Sequence, residues 1–547
     1  RSSERTGSGR WPALVALGVC LAVAGGSQAF ASPATAVTSD VPTVEAGEVG
    51  SLEGTDLDVA QGLVAVEQLE ATDTLDEVAS RADIEPEELR DGLIEDSSMF
   101  VTGSGFVGYA DALEGDPAVP TASLTTAELP ANVFDLNSRP TSTRVIYLDF
   151  DGHWANDPAW AGAGRYPAVI SSAPFDTDGV PGLSVAEQAT IFEAWQRVAE
   201  DYRPFDVNVT TADPGVEGLR RTSPADTSYG QRMVVTPTNF ATPGVIGLAL
   251  LDAFGSDTDH AAYVFTDLAY KRTAKTIGEA VSHEAGHTFG LNHDGGPVSP
   301  NYYDGHGQWA PIMGRPINPA TPVTQWSRGE YAGANNFQDD LAIIAKSIDY
   351  RPDDHANAPA AATVVASNGV AMGNIERTGD RDVFAVDVLD GTLSVQLRPP
   401  AGEAAWSNLA ATLTVRDGSG TVVASGGPST ASGWTVIATP TVVAGRYTIE
   451  VAPVGWLTAS TGFTTYGSLG AYELSVSAPQ GIPPPDAGTS RFTPVPPARL
   501  VDTRSGLGGS GRVEAGRQVI VQVADGVTVP TDATAAVVNI YTTKTGR

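Results

Sequence analysis

A chain of 547 residues exceeds what one hydrophobic core organises and suggests roughly three or four domains. A net charge of −33 excludes nucleic acid as an electrostatically favoured partner, because phosphate binding needs basic surface. The composition (41% hydrophobic, 59 Gly, 38 Pro) fits a globular, turn-rich protein.

The N-terminus reads as an export signal over residues 1–31. Arg1, Arg5 and Arg10 precede the apolar run 11–24, and Ala29-Phe30-Ala31 supplies a small-x-small cleavage site. The run is shorter than the about 20 residues that a membrane span needs, and no later segment is apolar enough. A secreted, extracellular protein with no transmembrane span in the mature chain is therefore expected. The only cysteine, Cys20, lies inside the signal, so disulfides and thiolate ligands are excluded after export. The chain starts at Arg1 rather than Met and stops at Arg547 after a strand-like run, so both ends are expected to be incomplete.

Residues 32–140 read as a pro-segment and linker, which implies a zymogen. Residues 32–60 lack periodicity and resemble a flexible leader. Leu63, Val66 and Leu69 recur at helical spacing, and Pro86-Glu87-Glu88 makes a good helical first turn. Met99–Val101 and Phe106–Tyr109 predict a small hairpin around Gly103-Ser104-Gly105. Pro117, Pro120, Pro130 and Pro140 mark 113–140 as a linker.

Residues 141–351 alternate strand and helix, predicting an α/β domain with a mixed, mostly parallel sheet. Strands are expected at 144–150, 206–211, 232–236, 246–251 and 261–265, and helices at 185–202, 276–289 and 336–348. Residues 352–480 carry short alternating strands with Gly-rich turns, as in a β-sandwich. A Pro-rich linker (481–490) leads to a further β module at 491–547, which is truncated.

The chemistry concentrates at Ser282-His283-Glu284-Ala285-Gly286-His287-Thr288-Phe289-Gly290-Leu291-Asn292-His293-Asp294. On a helix, His283 and His287 at i and i+4 share a face and can offer two imidazoles to one Zn2+ ion. Glu284 can reach water on that ion. Gly290, free of a Cβ, can end the helix so that the chain turns back with His293. Three protein ligands leave a fourth position for chemistry. The expected reaction is peptide-bond hydrolysis by zinc-activated water, with Glu284 as general base.

This motif resembles the metzincin clan of zinc endopeptidases. The Asp after the third histidine makes it most similar to the reprolysin (adamalysin-like) branch, in a bacterial secreted form. The resemblance covers about residues 143–351. It implies that Met313, in Ala310-Pro311-Ile312-Met313-Gly314, underlies the metal as a Met-turn and that Asp294 bonds near it. Arg315 stands where some relatives carry a metal-touching tyrosine. The resemblance also implies an edge strand that binds extended peptide, for which 246–251 with Leu248 and Ala249 is the candidate. Some relatives block the metal with a pro-region cysteine; here an acidic side chain or steric cover would have to serve.

Tyr303 and His306 are further cleft candidates, with packing in a loop as the alternative; Tyr302 could share a pocket wall. Asp353-Asp354 and Asp380-Arg381-Asp382 could bind Ca2+ or be exposed turn acids. Their region is similar to bacterial pre-peptidase C-terminal domains. The module at 491–547 resembles those of bacterial cell-wall enzymes and suggests cell-wall or surface association. Expected partners are protein or peptide substrates. Two alternatives stay open: a non-catalytic surface or adhesion protein with a vestigial zinc site, and a cell-wall peptide hydrolase.

Overall fold

The computed structural model describes residues 61–112, 129–161, 166–318, 320–400, 402–403 and 405–479. The expected export signal, leader, 481–490 linker and final β module lie outside them, as does 113–128 of the first linker. The described residues all belong to one compact unit spanning Gly47–Gly481.

Three short helices open this unit: α1 (Gly62–Ala71), α2 (Leu75–Arg81) and α3 (Pro86–Glu95). Pro86 occupies the first turn of α3, where its missing N–H costs nothing. Val66 and Leu69 are buried, but Leu63 is exposed; Ala65 takes the inward place on that face. These helices share a hydrophobic cluster with the hairpin β1 (Met99–Val101) and β2 (Val107–Asp111). The hairpin turns at Gly105, whose φ of +76° suits glycine.

The remaining strands of this region are β3 (Arg144–Asp149), the small antiparallel pair β4 (His153–Asn156) and β5 (Val169–Ser172), β6 (Asn208–Thr210), β7 (Tyr229–Thr236), β8 (Gly247–Leu250) and β9 (Ala262–Phe265). A seven-stranded sheet runs in the order β1-β2-β8-β9-β7-β3-β6. The β9-β7-β3-β6 half is parallel, whereas β1, β2 and β8 join antiparallel. Within 141–351 the sheet is mixed and mostly parallel, as expected, and the N-terminal hairpin adds two antiparallel strands that periodicity cannot assign to it. For the same reason β8 is an inner strand, not the expected edge: β2 pairs along its free side.

Two helices cover one face. α4 (Val185–Asp201) begins with a reciprocal capping box between Ser184 and Glu187 and buries Ile191, Ala194 and Val198. α5 (Ala274–Thr288) is capped by Thr273 and is buried along its whole length. A buried Arg232 guanidinium ties the sheet together, 2.7 Å from Asp149 and 3.0 Å from Asp259. The short parallel pair β10 (Trp309–Pro311) and β11 (Val323–Gln325) and then α6 (Asp340–Ile348) complete this part.

The chain continues through strands β12 (Thr363–Val364), β13 (Val370–Ile375), β14 (Asp382–Val388), β15 (Gly391–Thr392), β16 (Ser394–Arg398), β17 (Ala411–Arg416), β18 (Val422–Gly426), β19 (Val436–Ala438), β20 (Thr441–Val442), β21 (Gly445–Pro453) and β22 (Gly470–Ser477). They build a five-stranded sheet, β12-β14-β21-β17-β18, and a four-stranded one, β13-β22-β16-β19, in a sandwich-like arrangement. Alternate residues such as Val395, Leu397, Leu413, Val415, Ile449 and Leu474 are buried between them, the period-two pattern of half-buried strands.

Candidate metal centre

Helix α5 carries His283, Glu284 and His287, all fully buried. The helix ends at Thr288, and Gly290 turns the chain with a φ of +95°. His293 returns on the following loop. Each imidazole is oriented through Nδ1: His283 donates to the Ile312 carbonyl (2.7 Å) and His287 to the Leu291 carbonyl (2.7 Å). His293 Nδ1 lies 2.5 Å from the Asp96 carboxylate. Fixing Nδ1 in this way aims all three Nε2 atoms at one point.

A fourth group reaches that point. The Asp111 carboxylate, fully buried at the end of β2, lies 3.0 Å from His293 Nε2, 3.3 Å from His287 Nε2 and 3.5 Å from His283 Nε2. His287 Nε2 and His293 Nε2 are 3.1 Å apart. One ligand atom from each of Asp111, His283, His287 and His293 lies within 4.8 Å of the others, close enough to hold one small cation, whose tetrahedral ligand edges would be about 3.3–3.4 Å. The buried Nε2 of His283 and Oδ2 of Asp111 have no hydrogen-bond partner among the described residues, as expected of atoms built for a metal.

His287 and His293 shift in opposite directions. Burial pushes the His287 pKa down to about 4, keeping that imidazole neutral as a ligand must be, whereas against burial the Asp96 and Asp111 carboxylates push His293 up to about 10, so a metal must displace its proton. Burial, and then the Asp111 charge, pushes Glu284 well above the usual carboxylate range. Both Glu284 oxygens are buried without a hydrogen-bond partner among the described residues. Gly247, at the start of β8, makes room for this carboxylate: a Cβ there would overlap it.

Met313 is fully buried beneath α5, its sulfur against Gly286 between the two helical histidines. The Asp294 backbone N–H donates to the Met313 carbonyl (2.8 Å). Arg315 pairs with Asp304 at 2.8 Å. Leu248 and Ala249 lie in β8 opposite Ala110 and Tyr109 of β2. Tyr303 and His306 have other partners: Tyr303 donates its OH toward His306 Nδ1 (2.8 Å) and stacks on Tyr331, while His306 Nε2 faces the Gly462 carbonyl at 2.8 Å. It is the neighbouring Tyr302 that reaches the cluster, donating to Asp111 Oδ1 at 2.7 Å.

Asp111, Asp96, Tyr109 and Gly247 are the site residues that sequence reasoning missed. Tyr109 stacks on His287, with ring centroids 4.2 Å apart. The one available signal was negative: without a pro-region cysteine, an acidic side chain or steric cover was left to serve.

A second group of acids lies at the start of the sandwich. Ligand atoms of Asp353, Glu376 and Asp380 fall within 4.8 Å of one another. Glu376 is 2% exposed, and neither of its oxygens has a hydrogen-bond partner among the described residues. Asp382 is fully buried beside them, with Oδ2 bonded to the Tyr472 hydroxyl at 2.5 Å and Oδ1 unpartnered.

Among the described residues, no helix is long and apolar enough to cross a membrane. No family profile matches the chain, and no curated protein matches it. Among solved structures, part of the chain is similar to the pre-peptidase C-terminal domain of a collagenase from Bacillus anthracis. The match has 20% identity over 23% of this chain and 98% of that one, with a TM-score of 0.16.

Proposed function

We propose that the chain is a secreted zinc-dependent endopeptidase of metzincin type, exported as a zymogen whose pro-segment lies N-terminal to residue 141. The observation that carries this reading is the buried cluster of three histidines and one carboxylate, close enough together to hold one metal ion, with Glu284 beside it. An all-imidazole and carboxylate set suits zinc. When bound there, zinc polarises a carbonyl oxygen and lowers the pKa of a coordinated water to about 7.

The chain's own residues do the rest. Glu284, whose carboxylate oxygens have no hydrogen-bond partner among the described residues, takes the proton from the attacking water and returns it to the leaving amide nitrogen. Strand β8 receives an extended peptide as an added antiparallel strand once β2 has left. Gly247 lets that peptide and the Glu284 carboxylate approach closely.

Purified protein should contain one zinc and should cleave itself and denatured protein in a chelator-sensitive way. Glu284→Gln should keep the zinc and slow cleavage by about 10²–10⁴-fold. Cleavage at the wild-type rate by Glu284→Gln would sink the mechanism.

The acids at Asp353, Glu376 and Asp380, with Asp382 beside them, favour a second metal, Ca2+, since buried carboxylates without partners either stay protonated or take up a cation. This site would stabilise the sandwich rather than take part in hydrolysis.

A further inference from the structure

Two loops of the sandwich reach past its own core to the segments that carry the histidines. The first holds Asn408, buried just before β17. Its Nδ2 donates to Asp201 Oδ1 at the end of α4 (2.7 Å), and Asp201 Oδ2 accepts from the Ser282 hydroxyl (2.6 Å). Ser282 precedes His283 on α5, and its carbonyl accepts from the Tyr202 OH (3.1 Å). The Asn408 carbonyl accepts from Gln325 Nε2 (2.6 Å). The Gln325 carbonyl in turn accepts from the Ile312 N–H (2.9 Å), and the Ile312 carbonyl orients His283 through Nδ1 (2.7 Å). One sandwich residue therefore reaches His283 by two routes.

The second loop joins β21 to β22, and Trp456 and Phe463 pair across it. The Gly462 carbonyl accepts from His306 Nε2 (2.8 Å), while His306 Nδ1 accepts from the Tyr303 OH (2.8 Å). One neutral tautomer of His306 serves both bonds. The Tyr303 N–H donates to the carbonyl of Asp294, next to His293 (2.7 Å). Gly307 permits the close approach: its φ is +57°, and a Cβ there would overlap the Thr461 carbonyl.

Packing alone does not call for these contacts. Apolar burial holds two parts together without direction, whereas a hydrogen bond fixes distance and angle. Asp201, Ser282, Gln325 and Asn408 are all buried, so breaking one of their bonds leaves a polar atom unpaired at a cost. An imidazole held at Nδ1 aims its Nε2 only as well as its Nδ1 partner is placed.

We propose that the sandwich is a working part of the metal centre. Gln325 and His306 are positioning residues through which Asn408 and Gly462 set the aim of His283 and the path of the chain at His293. This inference rests on the zinc reading above. It gives His306 a role other than lining the cleft: it ties the loop that follows the third histidine to the sandwich.

The test uses the full chain. Zinc affinity is measured by competition with a chromogenic chelator for wild type, Asn408→Leu and His306→Phe. The visible absorption spectrum is recorded with cobalt(II) in place of zinc, and circular dichroism checks folding. Leu474→Ala, buried in β22 and outside these hydrogen bonds, is the control for lost stability. Asn408→Leu and His306→Phe should each bind zinc about 2–30-fold more weakly and shift the cobalt bands, while Leu474→Ala should do neither. Wild-type zinc affinity and cobalt bands in either variant, or equal changes in Leu474→Ala, overturn the inference while the zinc reading stands. A wild-type chain that binds no zinc overturns both. If Asn408→Leu does not fold, His306→Phe, nearer the surface, decides alone.

Discussion

Gly247→Ala adds one methyl group where there is no room for it. The new Cβ would overlap the Glu284 carboxylate, which is fully buried and cannot swing into solvent. Inserting a methyl into a packed interior costs about 1–3 kcal/mol. Displacing a reacting group by an ångström costs about 10²-fold in rate. The variant should therefore melt below wild type, keep its zinc and lose about 10²-fold in peptide hydrolysis. A double-mutant cycle isolates the cause. In a Glu284→Ala background the clash is gone, so Gly247→Ala should there cost little, leaving a coupling of about 1–3 kcal/mol between the two sites. Additive effects in denaturant titrations would refute the reasoning, since they would mean that Gly247 acts on stability without touching Glu284.

Two further perturbations test the polar interior. Burial first, and neighbouring acids second, push Glu376 up to about 9 and Asp382 up to about 8. Acids whose folded pKa is raised contribute stability at low pH that is lost as pH rises through those values. Calcium should therefore raise the melting temperature more at pH 8 than at pH 5, and Glu376→Gln should shrink that difference; an equal calcium effect at both pH values counts against the site. Arg232→Met leaves Asp149 and Asp259 buried without their cation, which should cost about 3–5 kcal/mol by chemical denaturation. The loss should be larger at pH 8 than at pH 5, because burial foremost raises Asp149 to about 7 while Arg232 opposes that rise; without Arg232 the carboxyl is held protonated to higher pH, at a cost that grows as pH rises.

The legible part of the site is the part that is local in sequence. His283, Glu284 and His287 sit on one helix, and Gly290 and His293 follow within a single turn, so spacing alone brings them together. Helix α4 and the alternating strands of the sandwich were equally readable, because one face of each must be apolar. Strand partners were not. Nothing in Tyr109-Ala110-Asp111 says that it pairs with Leu248 and Ala249, since backbone hydrogen bonding does not depend on side-chain identity. Asp111, Asp96 and Gly247 therefore carry no local signal of their place in the site. Tyr303 and His306 drew attention by their chemistry, while Tyr302, one residue away, faces the cluster.

The hydrophobic cluster that begins at Ile146 and Leu148 of β3 continues without a break into Leu413 and Ile449 of the sandwich. Polar contacts run along the same seam. Asn408 donates to Asp201 at the end of α4 (2.7 Å), and Tyr466 bonds Asp339 (2.7 Å) and the Leu341 N–H (3.0 Å) at the start of α6. Severing the chain at 351 would strip a wall from the core rather than release an independent piece, so a fragment trimmed there should aggregate. The same seam ties the sandwich rigidly to α4 and α6, so the two parts should unfold in one step.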